Sequence, residues 1–239
     1  MRQVSRRTDR ATLPELQQSI ISFSFDDCPK SAIDNGLPLL EAEGWRGTVF
    51  VASGLCETTN HLGLHISEAD IVDVYNRDHE IADHTFSHLS SDDVSVPEFM
   101  ADIERNQQTF TRLGLPRSRH FAYPYGHVSP ALKKALRKRF QTLRGVVSSP
   151  KTIQDANLLN ATRVYSNDSI EFVLEQISNA KTTPQWLHLF THDIRDTPSE
   201  FGCTIEDFKT VISAVRNSAL RVMTVDDAYR TIIKRRSAS

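Results

Sequence analysis

Asp26 and Asp27 stand side by side at the end of an apolar run, and His84 and His88 lie four residues apart farther along the chain. Two carboxylates and two imidazoles are enough to hold a divalent ion and leave one carboxylate free as a general base. That is the equipment of a hydrolytic metal site. Two adjacent carboxylates disfavour each other's charge, and a metal on one with a separate hydrogen-bonding partner on the other resolves the conflict. Consecutive strand side chains point to opposite faces, so both serve one pocket only if the strand ends and turns there. Cys28-Pro29 supplies such an end, since Pro cannot continue the ladder. The competing reading makes one Asp a helix cap and the other a solvated side chain. His84 and His88 share a face if they sit on a helical turn, and are otherwise capping or surface histidines. Asp83 either orients one of the rings or caps a helix.

Two later segments could complete such a site. In Phe121-Ala122-Tyr123-Pro124-Tyr125-Gly126, Pro124 and Gly126 set an irregular turn. It either aims the Tyr125 main-chain N–H into a cleft where an oxyanion would develop, or is a structural turn packed by its two tyrosines. In the apolar run ending at His192, position makes His192 the candidate acid and His188 a packed, hydrogen-bonded core residue.

These residues need a scaffold that brings them together. Alternating and apolar runs place strands at 20–25, 48–52, 80–82, 120–123, 144–147, 162–165, 187–191 and 221–224. Helical spacing falls at 29–43, 67–77, 97–113, 129–139, 169–179, 205–217 and 225–234. Regular strand–helix alternation predicts an α/β barrel or an open parallel sheet, with the chemistry at the C-terminal strand ends. Residues 53–67 are expected to form a rim loop.

The 239 residues suffice for one domain, expected over 16–236 behind a flexible tail at 1–15, and a chain of this size buries roughly 70% of its surface. With 28 basic against 30 acidic residues and no basic aromatic stripe, a nucleic-acid role is not expected. Cys28, Cys56 and Cys203 are too few and too scattered for a disulfide framework, which fits a reducing compartment. Arg2, Arg6, Arg7 and Arg10 precede no apolar leader, and no apolar run approaches 18 residues, so no membrane partner and a cytoplasmic location are expected. Residues 234–239 read as a second solvated tail.

SFDD at 24–27, HTFSH at 84–88, FAYPYG at 121–126 and LFTHD at 189–193 resemble, in order, the motifs of the polysaccharide deacetylase family, also called the NodB-homology or carbohydrate esterase family 4 domain. The resemblance implies an irregular (β/α)7-type barrel, a distorted relative of the TIM barrel. It implies Asp26 as catalytic base, Asp27, His84 and His88 as the metal triad, the Tyr125 N–H as oxyanion donor and His192 as general acid. The ion implied is zinc, with cobalt or manganese able to use the same ligands. The function implied is metal-dependent removal of an N-acetyl or similar small N-acyl group from a carbohydrate or oligosaccharide.

The motifs also depart from the family pattern. Cys28 stands where a Gly is usual, altering either the backbone or the pocket wall. Ala122 replaces the Arg that orients the base, and Arg144 or Arg163 is expected to substitute. Arg163→Met is accordingly expected to lower turnover far more than metal occupancy. Phe190 replaces a Leu, and with Cys28 and Tyr123 it is expected to line the substrate pocket and restrict the acyl group. No match to the family's tryptophan-containing fourth motif is found. Two alternatives stay open: an amidohydrolase acting on a small non-carbohydrate amide, and a catalytically silent glycan-binding barrel.

Overall fold

The computed structural model describes residues 8–148, 154–168 and 170–236. Arg2, Arg6, Arg7, the expected helix start at Ser169 and the last three residues of the C-terminal tail lie outside them. β1 (Ile20–Asp26) leads through a π-helical turn at Ala32–Gly36 into α1 (Leu37–Ala42), then β2 (Thr48–Val51). A small hairpin of β3 (Thr59–Asn60) and β4 (Gly63–Leu64) occupies the expected rim loop. There follow α2 (Glu68–Asn76), β5 (Glu80–Asp83), α3 (Val96–Arg112), β6 (His120–Ala122), α4 (Pro130–Leu136) and β7 (Thr142–Arg144). The chain ends with β8 (Thr162–Arg163), α5 (Ile170–Thr182), β9 (Trp186–Thr191), α6 (Ile205–Ser218), β10 (Arg221–Val222) and α7 (Val225–Arg236).

Local chemistry sets the helix starts. Ser67 and Ser95 each form a capping box, with Asp70 and Glu98, while Ser129 and Thr204 cap α4 and α6. The strands form one curled parallel sheet in the order β7-β6-β5-β2-β1-β9-β8, with β10 beside the start of β1. Residues 156–161, running into β8, bond to the opposite edge: Leu143 N–H donates to Ala156 O at 2.7 Å, and Gly145 N–H to Leu159 O at 2.9 Å. The result is the expected irregular (β/α) barrel.

Strand alternation sorts the side chains. Ile21, Phe23 and Phe25 pack outward with Leu37, Leu40, Phe208 and Val211 of the helical layer. Ser22, Ser24 and Asp26 take the other face, where the Ser22 hydroxyl accepts from Trp186 Nε1. No described helix is long and apolar enough to cross a membrane.

Part of the stretch expected as a tail is bonded to the body of the fold. Leu13 N–H donates to Gln154 O, Ala11 N–H to Asp155 Oδ1 and Ala156 N–H to Ala11 O, so residues 11–13 are strapped onto the segment that closes the barrel. Leu13 is buried, which holds the strap down.

Candidate active site

Adjacent carboxylates reach one cleft because β1 ends in an abrupt bend. Asp27 and Cys28 both adopt left-handed backbone, φ 62° and 68°, and Cys28 N–H closes a tight turn onto Asp26 O at 2.7 Å. Such φ values are uncommon outside Gly. Cys28 therefore keeps the conformation a Gly would take. Its Sγ is fully buried and lies 3.4 Å from Phe50 O, which corrects its expected place in the pocket wall.

The His84–His88 segment is a loop, not the helical turn its spacing allowed. Thr85 and His88 take φ of 64° and 52°. Asp102, reaching in from α3, accepts from the Phe86 and Ser87 N–H groups at 3.0 and 2.8 Å. Asp83 neither caps a helix nor touches a ring. It accepts from Thr85 N–H and Gln107 Nε2, and burial pushes its carboxyl up to about 7. The rim loop packs close by, since a Cβ at Gly54 would lie 2.6 Å from Phe86 O.

This bend and this loop bring Asp27, His84 and His88 together, with ligand atoms within 4.8 Å of one another. His84 Nε2 and His88 Nε2 lie 3.1 and 3.0 Å from Asp27 Oδ1. Neither is aligned as a hydrogen bond, and Oδ1 is buried without a hydrogen-bond partner. Three lone-pair donors converging on one point suit a divalent cation better than they suit one another. His84 Nδ1 lies 2.9 Å from Ala122 O, so a proton there leaves Nε2 as the free donor. Burial works to raise the Asp27 carboxyl, but the two imidazoles hold it well below the usual range.

Asp26 lies apart from this cluster in its bonding. Oδ2 pairs with Arg144 Nη2, both side chains being almost wholly buried, while Oδ1 has no hydrogen-bond partner. The guanidinium is held by Gly145 O at 3.0 Å and sandwiched 4.9 Å from the Phe50 ring and 4.6 Å from the Phe190 ring. Of the two cations expected to replace the missing Arg, Arg144 therefore meets Asp26. Arg163 is half exposed on Asp168, which corrects the expectation placed on it.

Phe190 is corrected as well. It is a buried support for Arg144, so its size says nothing about the acyl group. Tyr123 is also buried, edge-on to Phe121 with its hydroxyl toward Asn157 O, and is no pocket wall. His188 is packed on Trp186 as expected, with ring centroids 4.2 Å apart, but neither nitrogen has a hydrogen-bond partner.

Tyr125 has φ 57° and an exposed ring 4.4 Å from that of His88. The turn is closed by Gly126 N–H to Tyr123 O and His127 N–H to Pro124 O, neither of which uses the Tyr125 N–H. At the end of β9, His192 is partly exposed, with Nδ1 3.1 Å from Phe201 O and 3.3 Å from the Tyr165 hydroxyl. Sequence reasoning missed Ala122 O, Asp102, Tyr165 and Phe201. Two of them act through main-chain carbonyls, and a carbonyl carries no side-chain signature.

The fold is shared with solved structures. The Xyl-CE4 domain of a multidomain xylanase from the hindgut metagenome of Trinervitermes trinervoides superposes with TM-score 0.63 at 16% identity, covering 90% of this chain and 91% of that one. A family 4 acetyl xylan esterase from Clostridium thermocellum, in complex with cobalt, gives 0.61 at 15%, covering 89% and 91%. The peptidoglycan N-acetylglucosamine deacetylase Bc1960 gives 0.62 at 16%, covering 94% and 95%. No curated protein sequence matches the chain. The polysaccharide deacetylase family model matches residues 14–140, more than half of the sequence, and the chain belongs to that family.

Proposed function

We propose that this protein is a metal-dependent deacylase that hydrolyses an N-acetyl or similar small N-acyl group on a carbohydrate or oligosaccharide. The observation that carries the reading is the juxtaposition of two differently bonded neighbours. Asp27 converges with two imidazoles, while Asp26 is gripped on one oxygen by Arg144 and free on the other. The chemistry a divalent cation held by Asp27, His84 and His88 supplies is polarisation of the acyl carbonyl and acidification of water. Zinc suits the donor set, and cobalt or manganese could use it.

Asp26 Oδ1 accepts the proton of the attacking water, and the Arg144 pair fixes the orientation of that carboxylate. The Tyr125 N–H donates to the oxyanion of the tetrahedral intermediate. His192 gives its Nε2 proton to the departing amine, while its Nδ1 contact with Phe201 O fixes the orientation of the ring. Saccharides are favoured over small amides by the solved relatives, named for acetyl xylan and for peptidoglycan N-acetylglucosamine.

The test is acetate release from N-acetylated chitooligosaccharides, measured beside ammonia release from small amides, in protein loaded with each ion. Chelator-sensitive acetate release supports the proposal. Ammonia release alone would move the activity to the small-amide class. Saccharide binding with no turnover on a broad acyl panel would make this a silent barrel.

A further inference from the structure

His192 ends β9 only partly covered by the protein, so packing alone does not fix its ring. Two oxygen atoms meet it instead. Nδ1 lies 3.1 Å from Phe201 O and 3.3 Å from the Tyr165 hydroxyl. A carbonyl oxygen can only accept, so the first contact puts the ring's fixed proton on Nδ1 and leaves Nε2 as the nitrogen that gains and loses one. The Tyr165 hydroxyl oxygen is then a second acceptor for the same N–H, a three-centre arrangement. Asp193, next in sequence, does not take this place. Its buried carboxylate accepts from the Ser199 N–H and hydroxyl at 2.8 and 2.5 Å and pairs with Arg195 at 2.8 Å.

The chain around Tyr165 is built to hold that hydroxyl still. Tyr165 follows β8, and its neighbours on both sides are bonded: Val164 N–H donates to Phe190 O at 2.8 Å, and Ser166 N–H to Gly202 O at 3.0 Å. The side chain is buried, with its ring edge-on to those of Phe190 and Phe201 at centroid separations of 5.7 and 6.1 Å. From the strand behind it, the Arg163 guanidinium approaches to 5.7 Å from the ring centroid. A buried, packed phenol is a firmer support for a half-exposed imidazole than a loop carbonyl acting alone.

We propose that Tyr165 is a positioning residue for His192: its hydroxyl, together with Phe201 O, holds the Nδ1–H side of the imidazole and keeps Nε2 as the nitrogen that hands over the proton. In that transfer the charged ring loses its Nε2–H bond, an N–H bond forms on the departing amine, and the ring is left uncharged with its remaining proton on Nδ1. Phe190 then serves both halves of the reaction, since its ring lies 4.6 Å from the Arg144 guanidinium that orients the base and packs on the tyrosine that orients the acid. The hold on His192 is a property of the folded protein, and only its effect on turnover rests on the deacylase reading above.

The first test needs no substrate. In protein labelled with 15N histidine, the His192 ring, assigned by its absence from His192→Gln, is expected to carry its proton on Nδ1 when uncharged, and Tyr165→Phe should shift its Nδ1 signal. A ring protonated on Nε2 when uncharged, or a signal that ignores Tyr165→Phe, would overturn the hold. The second test is kinetic. Tyr165→Phe, which keeps the packed ring and deletes one neutral hydrogen bond, is expected to lower kcat on an N-acetylated chitooligosaccharide roughly 3- to 10-fold at unchanged KM and metal content. On 4-nitrophenyl acetate, whose leaving group needs no proton, the variant should match wild type. In a His192→Gln background it should change amide turnover no further, because the group it acts through is gone. Equal amide turnover in Tyr165→Phe and wild type, an equal loss on both substrates, or an undiminished loss in the His192→Gln background would overturn the positioning role. If no form turns over any acyl substrate, the deacylase reading fails, and the ring-nitrogen signals still decide whether Tyr165 holds His192.

Discussion

Ala122 and Arg144 are direct partners on the β6–β7 ladder, and the Arg144 side chain pairs with Asp26 at the end of β1. Partners on a parallel ladder point to the same face. The cation expected at position 122 thus has its counterpart one strand sideways, at the same level of the barrel, and a large side chain at position 122 would crowd it.

Removing that cation strands a buried carboxylate, a change that costs roughly 3–5 kcal/mol when it breaks a buried pair. Arg144→Met is therefore expected to lower both stability and kcat, the latter about 100-fold, with metal stoichiometry kept. Arg163→Met should change kcat less than about 2-fold, because its partner Asp168 is an exposed surface group. Reintroducing the cation one strand over, as Ala122→Arg with Arg144→Ala, should recover part of the loss. Steady-state kinetics with elemental analysis of each variant decides among these outcomes.

Near one divalent ion per chain is expected after purification, and none in His84→Ala with His88→Ala. Restoring the ion to chelated protein should raise the thermal midpoint, since a ligand at 100 times its Kd adds about 2.7 kcal/mol of stability. Equal midpoints with and without metal, by calorimetry, would count against a folded-state metal site.

His192→Gln should cut amide turnover ~10²–10⁴-fold by removing the acid. An activated aryl ester such as 4-nitrophenyl acetate leaves without protonation, so the same variant should retain most of its ester activity. Equal losses on both substrates would assign His192 a role other than proton donor.

Stability should fall on acidification through His188. Its folded value of about 3 lies below the ordinary histidine value of 6.5, so between those limits the unfolded chain binds a proton that the folded chain does not. The contribution is complete above pH 6.5 and declines as pH falls, by up to about 1.4 kcal/mol per pH unit. In denaturant titrations from pH 7 to 4, the stability of wild type relative to His188→Leu should fall as pH drops.

Gly126 has φ 64°, and a Cβ there would lie 2.3 Å from Val146 Cγ2. Gly126→Ala should cost about 1–3 kcal/mol and displace the neighbouring Tyr125 N–H, lowering kcat more than it raises KM. Unfolding curves and kinetics on the same preparation separate the two effects.

Much of this architecture is legible in the order of residue types. Alternating runs mark β1, β5 and β9, and Ser67, Ser129 and Thr204 announce their helices, because both signals depend on near neighbours. The candidate ligands and the paired aspartates are equally plain, as their chemistry resides in their own side chains. Long-range geometry decided the rest. Whether Arg144 or Arg163 meets Asp26 depends on ladder register, which no local pattern records. Phe190, Tyr123 and Cys28 look like pocket residues beside their motifs, yet the closing of the barrel turns each into buried support. The convergence of His84 and His88 comes from left-handed turns held by Asp102, sixteen residues beyond Phe86 and on another element. Residue identity determined which groups could do chemistry, and tertiary packing decided which of them face the cleft, because burial and register belong to the whole chain.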